Sequence, residues 1–321
     1  MRPVRTAFAG ALLGTLVLAG CGQTGANVAP SESPSEPPSS TAAASTGDFP
    51  VTVEAGNGKV TLAKKPERIV SLSATHTETL FAVGAGPQVV AVDDQSNYPP
   101  EAPKSDLSGF KPNVEAIIAK RPDLVILSND QDKIVAELAK VNVPVLLEPA
   151  ATRLDEAYEE IAEIGAATGN KAKADEVVSG MKAAMDKLAA DAPKDKKLTY
   201  YHELDQTPYA ATSKTFIGQV YAMFGLTNIA DQAPDAAGGY PKLSAEFVAQ
   251  ADPALIFLAD VKCCQQSKET LAKRPGWKNL SAVKNDQVIQ LDDDLASRWG
   301  PRVVDLAEAI GAAVAKAGGT G

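Results

Sequence analysis

Two stretches of one pattern decide the fold: Asn113-Val-Glu-Ala-Ile-Ile-Ala-Lys-Arg-Pro122-Asp-Leu-Val-Ile-Leu127 and Ser244-Ala-Glu-Phe-Val-Ala-Gln-Ala-Asp-Pro253-Ala-Leu-Ile-Phe-Leu258. Each begins with a polar residue suited to a helix N-cap, has a glutamate two positions later, and continues as a helical pattern that stops at a proline. A short apolar run follows each proline, which is typical of a strand buried on both faces. Because the stretches match position for position, we expect two similar lobes rather than one large sheet.

Short β-branched runs alternate with helical patterns on both sides of this repeat. The predicted strands are 68–72, 88–92, 123–127, 143–147, 197–202, 254–259 and 287–291, and the predicted helices are 76–83, 113–120, 131–140, 154–168, 214–224, 244–251 and 301–317. Alternating elements predict an α/β fold with mainly parallel sheets covered on both faces.

An uninterrupted helical pattern over 171–191 lies between the two halves. At about 1.5 Å per residue it spans roughly 30 Å, which is about a domain diameter. It therefore predicts one long α-helix that joins the lobes, with a ligand cleft between them.

The N-terminus has the parts of an export signal. Arg2 and Arg5 precede an apolar run that is too short to span a bilayer, and Leu18-Ala-Gly-Cys21 follows. This ending is the bacterial lipoprotein signature, in which Cys21 receives a lipid such as palmitate; the alternative is an ordinary signal peptide with a chance cysteine. Residues beyond Cys21 are rich in Ser, Pro, Ala and Gly, so they predict a flexible linker.

We expect the protein to function outside the cytoplasm, at the outer face of the bacterial cytoplasmic membrane or in the periplasm. The same features divide the chain into five segments. The segments are a signal peptide (1–20), the lipidated cysteine and linker (21–50), an N-terminal lobe (51–170), a connecting helix (171–192) and a C-terminal lobe (193–318).

Composition and motifs exclude several classes of function. The chain has 31 Lys and Arg against 40 Asp and Glu, a net charge of −9, with no basic run, which argues against nucleic-acid binding. Two His and three Cys are too few for zinc fingers or a disulfide scaffold. No nucleophile elbow, P-loop, dinucleotide fingerprint or zinc-protease motif is present. Thr75-His-Thr-Glu78 holds reactive residue types, but adjacent helical positions do not converge, so we expect no enzyme.

Several motifs in a fixed order resemble the class III substrate-binding proteins of ABC importers, which serve ferric siderophores, haem and cobalamin. The resemblance covers about residues 52–318 and includes Lys65-Pro-Glu-Arg-Ile-Val-Ser-Leu72, Thr75-His-Thr-Glu-Thr-Leu80, Asn97-Tyr-Pro-Pro-Glu-Ala102, Gly239-Tyr-Pro-Lys-Leu-Ser-Ala-Glu246 and Arg298-Trp-Gly-Pro-Arg302. It implies a lipid-anchored monomer that captures an iron chelate, a ferric siderophore, and delivers it to a permease dimer with its ATPase. The chelate would be cargo, so no resident cofactor is expected.

The ligand stays open between an iron chelate and a corrinoid. Within the family the pattern is most similar to cobalamin-binding members, in which a ligand-contacting Tyr falls at Tyr98 and a Trp at Tyr240. Phe110 stands where such members have another pocket Trp, and Ser297 where they have an acid. A function of another class, an extracellular enzyme or ligand sensor on the same fold, is the further alternative.

Six residues in loops after strands or before helices are the candidate ligand-binding residues. Aromatic faces suit a planar or amide-rich chelate, and an arginine can contact an anionic group or stack on a ring. We expect Arg298 and Trp299 to face Tyr98 and Tyr240 across the cleft. The alternatives are that each aromatic packs only its own loop and that Arg302 is a surface residue of the last helix. The candidates are Tyr98, Phe110, Tyr240, Arg298, Trp299 and Arg302.

A bare-metal site is not expected. His76 and His202 lie in different lobes, and His76 heads a helix in the family pattern, so a solvated or capping role is predicted for it. The acidic runs 93–94 and 292–294 are expected to be solvated loops.

Cys263 and Cys264 are the only thiols left once Cys21 carries lipid, and an extracytoplasmic compartment is oxidising. They follow a predicted strand, so we expect a vicinal disulfide in a loop beside the cleft. Two free thiols are the main alternative and a soft-metal site is the third.

Glu115 and Glu246 occupy the same position in the two halves of the repeat. A carboxylate in the first turn stabilises a helix through the dipole, which alone would explain either residue. In the resembling family, glutamates at these positions pair with arginines on the two permease subunits. The resemblance therefore implies that Glu115 and Glu246 are permease-docking residues.

Overall fold

The computed structural model describes residues 49–193, 197–233 and 237–318. The predicted signal peptide, Cys21 and nearly all of the predicted linker lie outside them. The described elements all belong to one compact unit, Ala44–Gly321.

Eleven strands occur within the described ranges. They are β1 (Val51–Ala55), β2 (Gly58–Leu62), β3 (Ile69–Leu72), β4 (Val89–Val92), β5 (Leu124–Leu127), β6 (Val145–Leu147), β7 (Thr199–Asp205), β8 (Tyr209–Ala210), β9 (Thr227–Asn228), β10 (Leu255–Leu258) and β11 (Val288–Gln290).

Twelve α-helices accompany these strands in the same part of the chain. They are α1 (Ala74–Ala82), α2 (Val114–Ala119), α3 (Ile134–Lys140), α4 (Leu154–Ala167), α5 (Lys171–Asp191), α6 (Phe216–Ala222), α7 (Ala245–Ala251), α8 (Val261–Cys264), α9 (Lys268–Ala272), α10 (Ser281–Lys284), α11 (Asp293–Ser297) and α12 (Val303–Gly318).

The first sheet consists of four parallel strands in the order β4-β3-β5-β6. Every residue of β5 is buried, because its two sets of side chains enter different cores. Leu124 and Ile126 join a core shared with α4, whereas Val125 and Leu127 join one that contains Ile117 of α2. Coverage on both faces explains why the sequence of this strand is continuously apolar.

The second sheet has the order β11-β10-β7-β8, with β9 also pairing with β7. All these pairs are parallel except β7 with β8, which is antiparallel. The prediction of an α/β fold with mainly parallel sheets is therefore confirmed.

One continuous core joins the two lobes. It contains Leu124 and Ile126 from the first sheet, Tyr200 and Phe257 from the second, and a buried face of α5. That face carries Ala174, Met181 and Met185. Both lobes therefore pack on one shared core.

Several elements differ from the sequence prediction, among them the two-residue strands β8 and β9, which are too short to show alternation. The hairpin β1–β2, which the prediction left out, is closed by a Gly56-Asn57 turn between alternating Val and Thr residues, a signal that sequence can show. The helices α8 to α11 were also absent from the prediction, because four or five residues are too few to show helical periodicity.

Candidate functional site

A cleft of about 330 Å³ lies where the carboxyl ends of β3, β4 and β5 meet the segment that ends α11. Loops converge here because the carboxyl ends of parallel strands share one edge of a sheet. The lining is Leu72, Ser73, Ala74, Thr75, Asp93, Gln95, Gly109, Phe110, Ser128, Asn129, Asp294, Ser297, Arg298 and Trp299. Residues of both lobes therefore contribute, and hydroxyl and amide groups dominate its polar part.

Phe110 presents an aromatic ring at this cleft and is 70% exposed. Gly109 makes that placement possible. A Cβ atom at position 109 would lie 2.5 Å from the carbonyl oxygen of Leu72 and 3.0 Å from Oδ2 of Asp93. Backbone cannot easily yield at that distance, so the loop reaches the end of β3 only with glycine. The exposed ring offers a ligand a stacking surface.

Asp93 is a buried carboxyl group on the cleft wall, only 4% exposed. Burial raises its pKa, although the Ser96 hydroxyl donates a hydrogen bond to Oδ1 over 2.5 Å and opposes that shift. An anionic ligand group placed beside Asp93 would repel the charge of a carboxyl group that is already poorly solvated. Neutral amides and hydroxyls add no such repulsion, so they suit this wall better.

Arg298 reaches the cleft, as predicted, but its guanidinium group binds other parts of the protein. Nη1 donates to Oε1 of Glu78 over 2.5 Å, and Nη2 donates to Asp294 at 2.8 Å, Asn97 at 2.9 Å and the carbonyl oxygen of Gln95 at 3.1 Å. Its charge is therefore already compensated. The structure indicates a positioning role that ties α11 to the first lobe, and direct ligand contact stays a prediction.

Arg302 shares the same carboxylate. Its Nε donates to Oε2 of Glu78 over 2.8 Å and its Nη2 to Oε1 over 2.6 Å, while its guanidinium carbon lies 4.1 Å from the centre of the Tyr98 ring. The alternative of a surface arginine is wrong, since its side chain is only 19% exposed. Neither Arg302 nor Tyr98 lines the cleft. We refer to Glu78, Arg298 and Arg302 as the lobe latch.

Trp299 lines the cleft and is fixed from behind. Its Nε1 donates to Oε2 of Glu160 in α4 over 2.8 Å, and its ring meets the edge of His76 at 5.9 Å between centroids. The prediction of a solvated or capping His76 is wrong, because the side chain is fully buried in α1 and the N-cap is Ser73. Trp299 therefore presents a positioned ring rather than a mobile one.

Tyr240 does not share the cleft. It follows a short helical turn, Ala237–Gly239, in the second lobe and is 42% exposed. The lining of this cleft therefore includes neither Tyr98 nor Tyr240, and the expected arrangement with Arg298 and Trp299 facing both stays a prediction. Of the six candidates, the cleft brings together Phe110, Arg298 and Trp299.

Cys263 and Cys264 are joined by a disulfide bond in the structure. They lie in the short helix α8 rather than in a loop. The backbone amides of Val261, Lys262 and Cys263 all donate to the carboxylate of Asp293, at 2.9 to 3.0 Å. The bonded pair is thus attached to the start of α11, whose other end forms part of the cleft. The oxidation state itself stays a prediction.

The acidic run 292–294 is not simply solvated. Asp292 caps α11, and Lys262 Nζ lies 2.9 Å from oxygens of both Asp292 and Asp294. Asp294 also contacts Arg298. Asp292 and Asp294 therefore bind Lys262 within the second lobe. Asp294 also accepts a hydrogen bond from Asn97 of the first lobe.

Glu115 and Glu246 are both exposed in the first turns of α2 and α7. The cap of each helix is formed as predicted: Asn113 accepts from the Ala116 amide at 2.8 Å and Ser244 from the Phe247 amide at 3.0 Å. Within the described part of the chain, neither glutamate has an ion-pair partner.

Several functional residues escaped the sequence prediction. Asp93 and Ser128 directly follow predicted strands 88–92 and 123–127, so their place at the sheet edge could have been inferred. Glu78 and Glu160 gave no comparable signal, because the arginine and tryptophan side chains that donate hydrogen bonds to them lie more than a hundred residues away.

Two chemical properties of the described residues bear on ligand type. No group of three or more His, Cys, Asp or Glu side chains in them could hold a metal ion. Both histidines are buried, and burial lowers the pKa of His202 to about 4. Among the helices described, none has the length and apolar character that crossing a membrane requires.

Comparison with known proteins places the chain in a family. The family described as periplasmic binding protein matches residues 69–295. An uncharacterized ABC transporter substrate-binding lipoprotein of Bacillus subtilis, YvrC, is 33% identical, over 94% of this chain and 96% of its own length. A cobalamin-binding protein of Halobacterium salinarum is 30% identical, over 80% of this chain and 72% of its own.

Among solved structures, a possible iron-binding (periplasmic solute-binding) protein of Staphylococcus epidermidis is similar, with a TM-score of 0.66 and 29% identity. The match covers 77% of this chain and 99% of the other.

Proposed function

Because this chain belongs to the periplasmic binding protein family, we propose that it is the extracytoplasmic substrate-binding lipoprotein of an ABC importer. Its cargo in this proposal is an iron chelate, a ferric siderophore, which it delivers to the permease. The Bacillus subtilis relative, named as an ABC transporter substrate-binding lipoprotein, supports the transport role over nearly the whole chain.

The cleft between the lobes is the observation that carries the proposal. It holds about 330 Å³, with an exposed aromatic ring from Phe110, a fixed one from Trp299, and neutral hydroxyl and amide groups such as Ser128 and Asn129. Rings contact flat organic surface, and hydroxyl and amide groups exchange hydrogen bonds with amide and hydroxamate oxygens. An amide-rich chelate matches this combination.

The donor set also favours a chelate over a free ion. A bare transition metal needs several converging His, Cys, Asp or Glu ligands, and the described residues contain no such group. A metal that arrives inside its own organic ligand needs only surface recognition. In this proposal the chelate is cargo, and the protein has no resident cofactor.

A corrinoid is the second candidate. The Halobacterium salinarum relative, named a cobalamin-binding protein, supports it at 30% identity. A corrinoid is also a metal chelate with amide side chains, so the same cleft chemistry applies. The two candidates differ in size and in spectrum, which makes them easy to separate.

Cys21 would anchor the protein on the outer face of the membrane through its lipid. The lipoprotein name of the Bacillus subtilis relative supports this part of the proposal. Replacing Cys21 with Ser should abolish fatty-acid labelling and release the chain from the membrane fraction.

Glu115 and Glu246 would dock the loaded monomer on the permease dimer and its ATPase. Support comes from their exposure, their equivalent positions in the internal repeat and the lack of an ion-pair partner in the described ranges. A two-fold permease presents the same surface twice, so one acid on each lobe fits it. Exposed charges of this kind act mainly on docking rate and orientation.

Titration with four chelates tests the cargo. A ferric hydroxamate, a ferric catecholate, haem and cyanocobalamin are each added to the full chain, and binding is followed by calorimetry and visible absorption. We expect a ferric siderophore to bind with micromolar affinity or better, about −8 kcal/mol, and to be recovered unchanged after denaturation. Cyanocobalamin binding alone would select the second candidate, whereas chemical conversion of any probe would support an enzyme.

Phe110→Ala tests whether this cleft is the binding site. The change should weaken binding of the selected chelate about tenfold, because a stacked aromatic contributes on the order of 1 kcal/mol beyond its buried area. Tyr209→Ala is the matched control, since Tyr209 is an exposed aromatic outside the cleft. Equal loss in both variants would exclude this cleft.

A further inference from the structure

A second cavity, of about 420 Å³, opens between the β1–β2 hairpin, the segment that follows β6, and α4. It shares no lining residue with the cleft. None of the described residues that line it is Lys, Arg or His, and half of them are glutamates. These are Glu54, Glu148, Glu156, Glu159, Glu160 and Glu163.

We propose that this cavity, which we call the glutamate pocket, binds a small organic polycation of the polyamine class.

Glu148 is the buried end of the pocket. It follows β6 directly, lies at the same sheet edge as the cleft, and is only 3% exposed. Its Oε1 atom is buried and has no hydrogen-bond partner among the described residues. A buried carboxyl group without a partner is costly, and a cationic hydrogen-bond donor relieves that cost. This carboxyl group is thus missing a partner that the pocket has space to admit.

The remaining glutamates divide into occupied and available groups. Glu156 accepts hydrogen bonds from Thr152 and from the Arg153 amide, and Glu160 accepts from Trp299 and lies 3.5 Å from His76 Nε2. The carboxylates of Glu156 and Glu160 are therefore already hydrogen-bonded to other parts of the protein.

The carboxylates of Glu159 and Glu163 are free to receive a ligand. No hydrogen bond or ion pair engages either one within the described ranges, and Glu54 has only the exposed Lys59, at 3.2 Å. Three basic groups lie near the pocket carboxylates, and none of them lines the cavity: Lys59, His76 and Arg153. Arg153 forms its own ion pair with Asp155, although the charges of Glu156 and Glu159 also help to raise its pKa.

Burial and the neighbouring carboxylates both raise the pKa values of acids in the pocket. Burial, followed by the charges of Glu163 and Glu160, raises the pKa of Glu148 to about 9. Burial, followed by the charges of Glu159, Glu160 and Glu54, raises the pKa of Glu163 to about 7. The pocket alone therefore retains protons near neutral pH. A polycation would replace those protons and stabilise the ionised carboxylates.

The spread of the carboxylates distinguishes a polyamine from a metal ion. Of the available acids, Glu159 and Glu163 are separated by about 6 Å along α4 at 1.5 Å per residue, whereas Glu148 follows β6 and Glu54 belongs to the hairpin. The described residues contain no group of acids close enough to hold one ion. An extended chain with separated ammonium groups can reach several carboxylates at once, whereas a single ion cannot.

Calorimetric titration of the full chain with spermidine tests the proposal, with CaCl₂ and MnCl₂ titrated alone in parallel. We expect spermidine to bind with release of protons, measured as a dependence of the heat on the ionisation enthalpy of the buffer. Its affinity should rise between about pH 6 and about pH 8 as Glu163 loses its proton, and further towards about pH 9 as Glu148 does. Binding of a metal ion without spermidine binding would overturn the polyamine assignment, as would absence of any binding.

Variants locate the site. Glu148→Gln and Glu163→Gln should each weaken spermidine binding about tenfold, since each removes a charged hydrogen-bond acceptor. Glu163 is only partly buried, so its variant remains informative if Glu148→Gln fails to fold. Glu176→Gln is the matched control, because that glutamate is exposed on α5 away from the pocket. Equal weakening by Glu176→Gln would show nonspecific charge attraction and overturn the proposal.

Stability against pH gives an independent measurement. A carboxyl group whose pKa is raised by folding stabilises the fold below its ordinary value of 4.5, and that stability is lost as the pH rises through about 9. The thermal midpoint of the spermidine-free protein should therefore fall over this range, and less so in Glu148→Gln. Spermidine should raise the midpoint most at the alkaline end. A midpoint that spermidine does not change would contradict the proposal.

Discussion

Removal of Glu78 should weaken the whole protein, because this one carboxylate fastens two arginines of the second lobe to α1 of the first. Its side chain is 2% exposed and accepts three hydrogen bonds from Arg298 and Arg302, at 2.5 to 2.8 Å. Glu78→Ala removes the carboxylate to which both guanidinium groups donate hydrogen bonds. We expect the free energy of unfolding to fall substantially.

The magnitude follows from what each arginine retains. Breaking a buried ion pair by removing one partner costs about 3–5 kcal/mol. Arg298 keeps its bond to Asp294, and Arg302 keeps the face of Tyr98 and some contact with solvent. We therefore expect the lower part of that range, about 3 kcal/mol, for Glu78→Ala, and a smaller loss for Glu78→Gln, which preserves shape and part of the hydrogen bonding.

Urea unfolding followed by circular dichroism measures this change. Glu137→Ala is the control, because Glu137 is a more exposed glutamate paired with Lys140 on the surface of α3; its effect should stay within about 0.5 kcal/mol. If Glu78→Ala lost less than about 1 kcal/mol with an unchanged urea dependence, the lobe latch would not be a major source of stability.

Three further predictions concern ligand affinity, uptake in cells and the state of the two cysteines. Gly109→Ala should lower affinity for the cleft ligand with little loss of secondary structure, because its Cβ would displace the loop from the Leu72 carbonyl oxygen; unchanged affinity in a titration would contradict this. The double variant Glu115→Arg/Glu246→Arg should bind ligand normally but lose uptake in cells, with partial loss for each single change; normal transport would leave only the helix-dipole role. Thiol counting on unreduced, denatured protein should find Cys263 and Cys264 unreactive, and two reactive groups would exclude the disulfide.

The fold could be predicted further than the site. Patterns such as Leu124–Leu127 and Leu255–Leu258 are local: burial on both faces makes them continuously apolar, and the proline before each ends the preceding helix. The internal repeat then indicated two lobes without any knowledge of contacts. Helical periodicity over Lys171–Asp191 similarly marked the buried face of α5.

The partners of the site residues could not be predicted in the same way. Arg298 had the features of a ligand-binding arginine, but three of its four acceptor residues lie in α1 and in the loop after β4, some two hundred residues earlier. His76 similarly gave no sign that Glu160 and Trp299 would enclose it. Such pairs depend on how the lobes pack, and sequence spacing carries no record of that packing.

One of the two tryptophans of the chain is buried in a core and the other lines the cleft, so intrinsic fluorescence can report ligand binding. Trp277 is fully buried in the core of the second lobe, whereas Trp299 lines the cleft with its indole nitrogen bonded to Glu160. A coloured chelate in the cleft would quench emission from Trp299 far more than emission from Trp277. Fluorescence of a Trp277→Phe variant would then report occupancy directly, without a label, while the unmodified chain would always retain a residual signal from its second lobe.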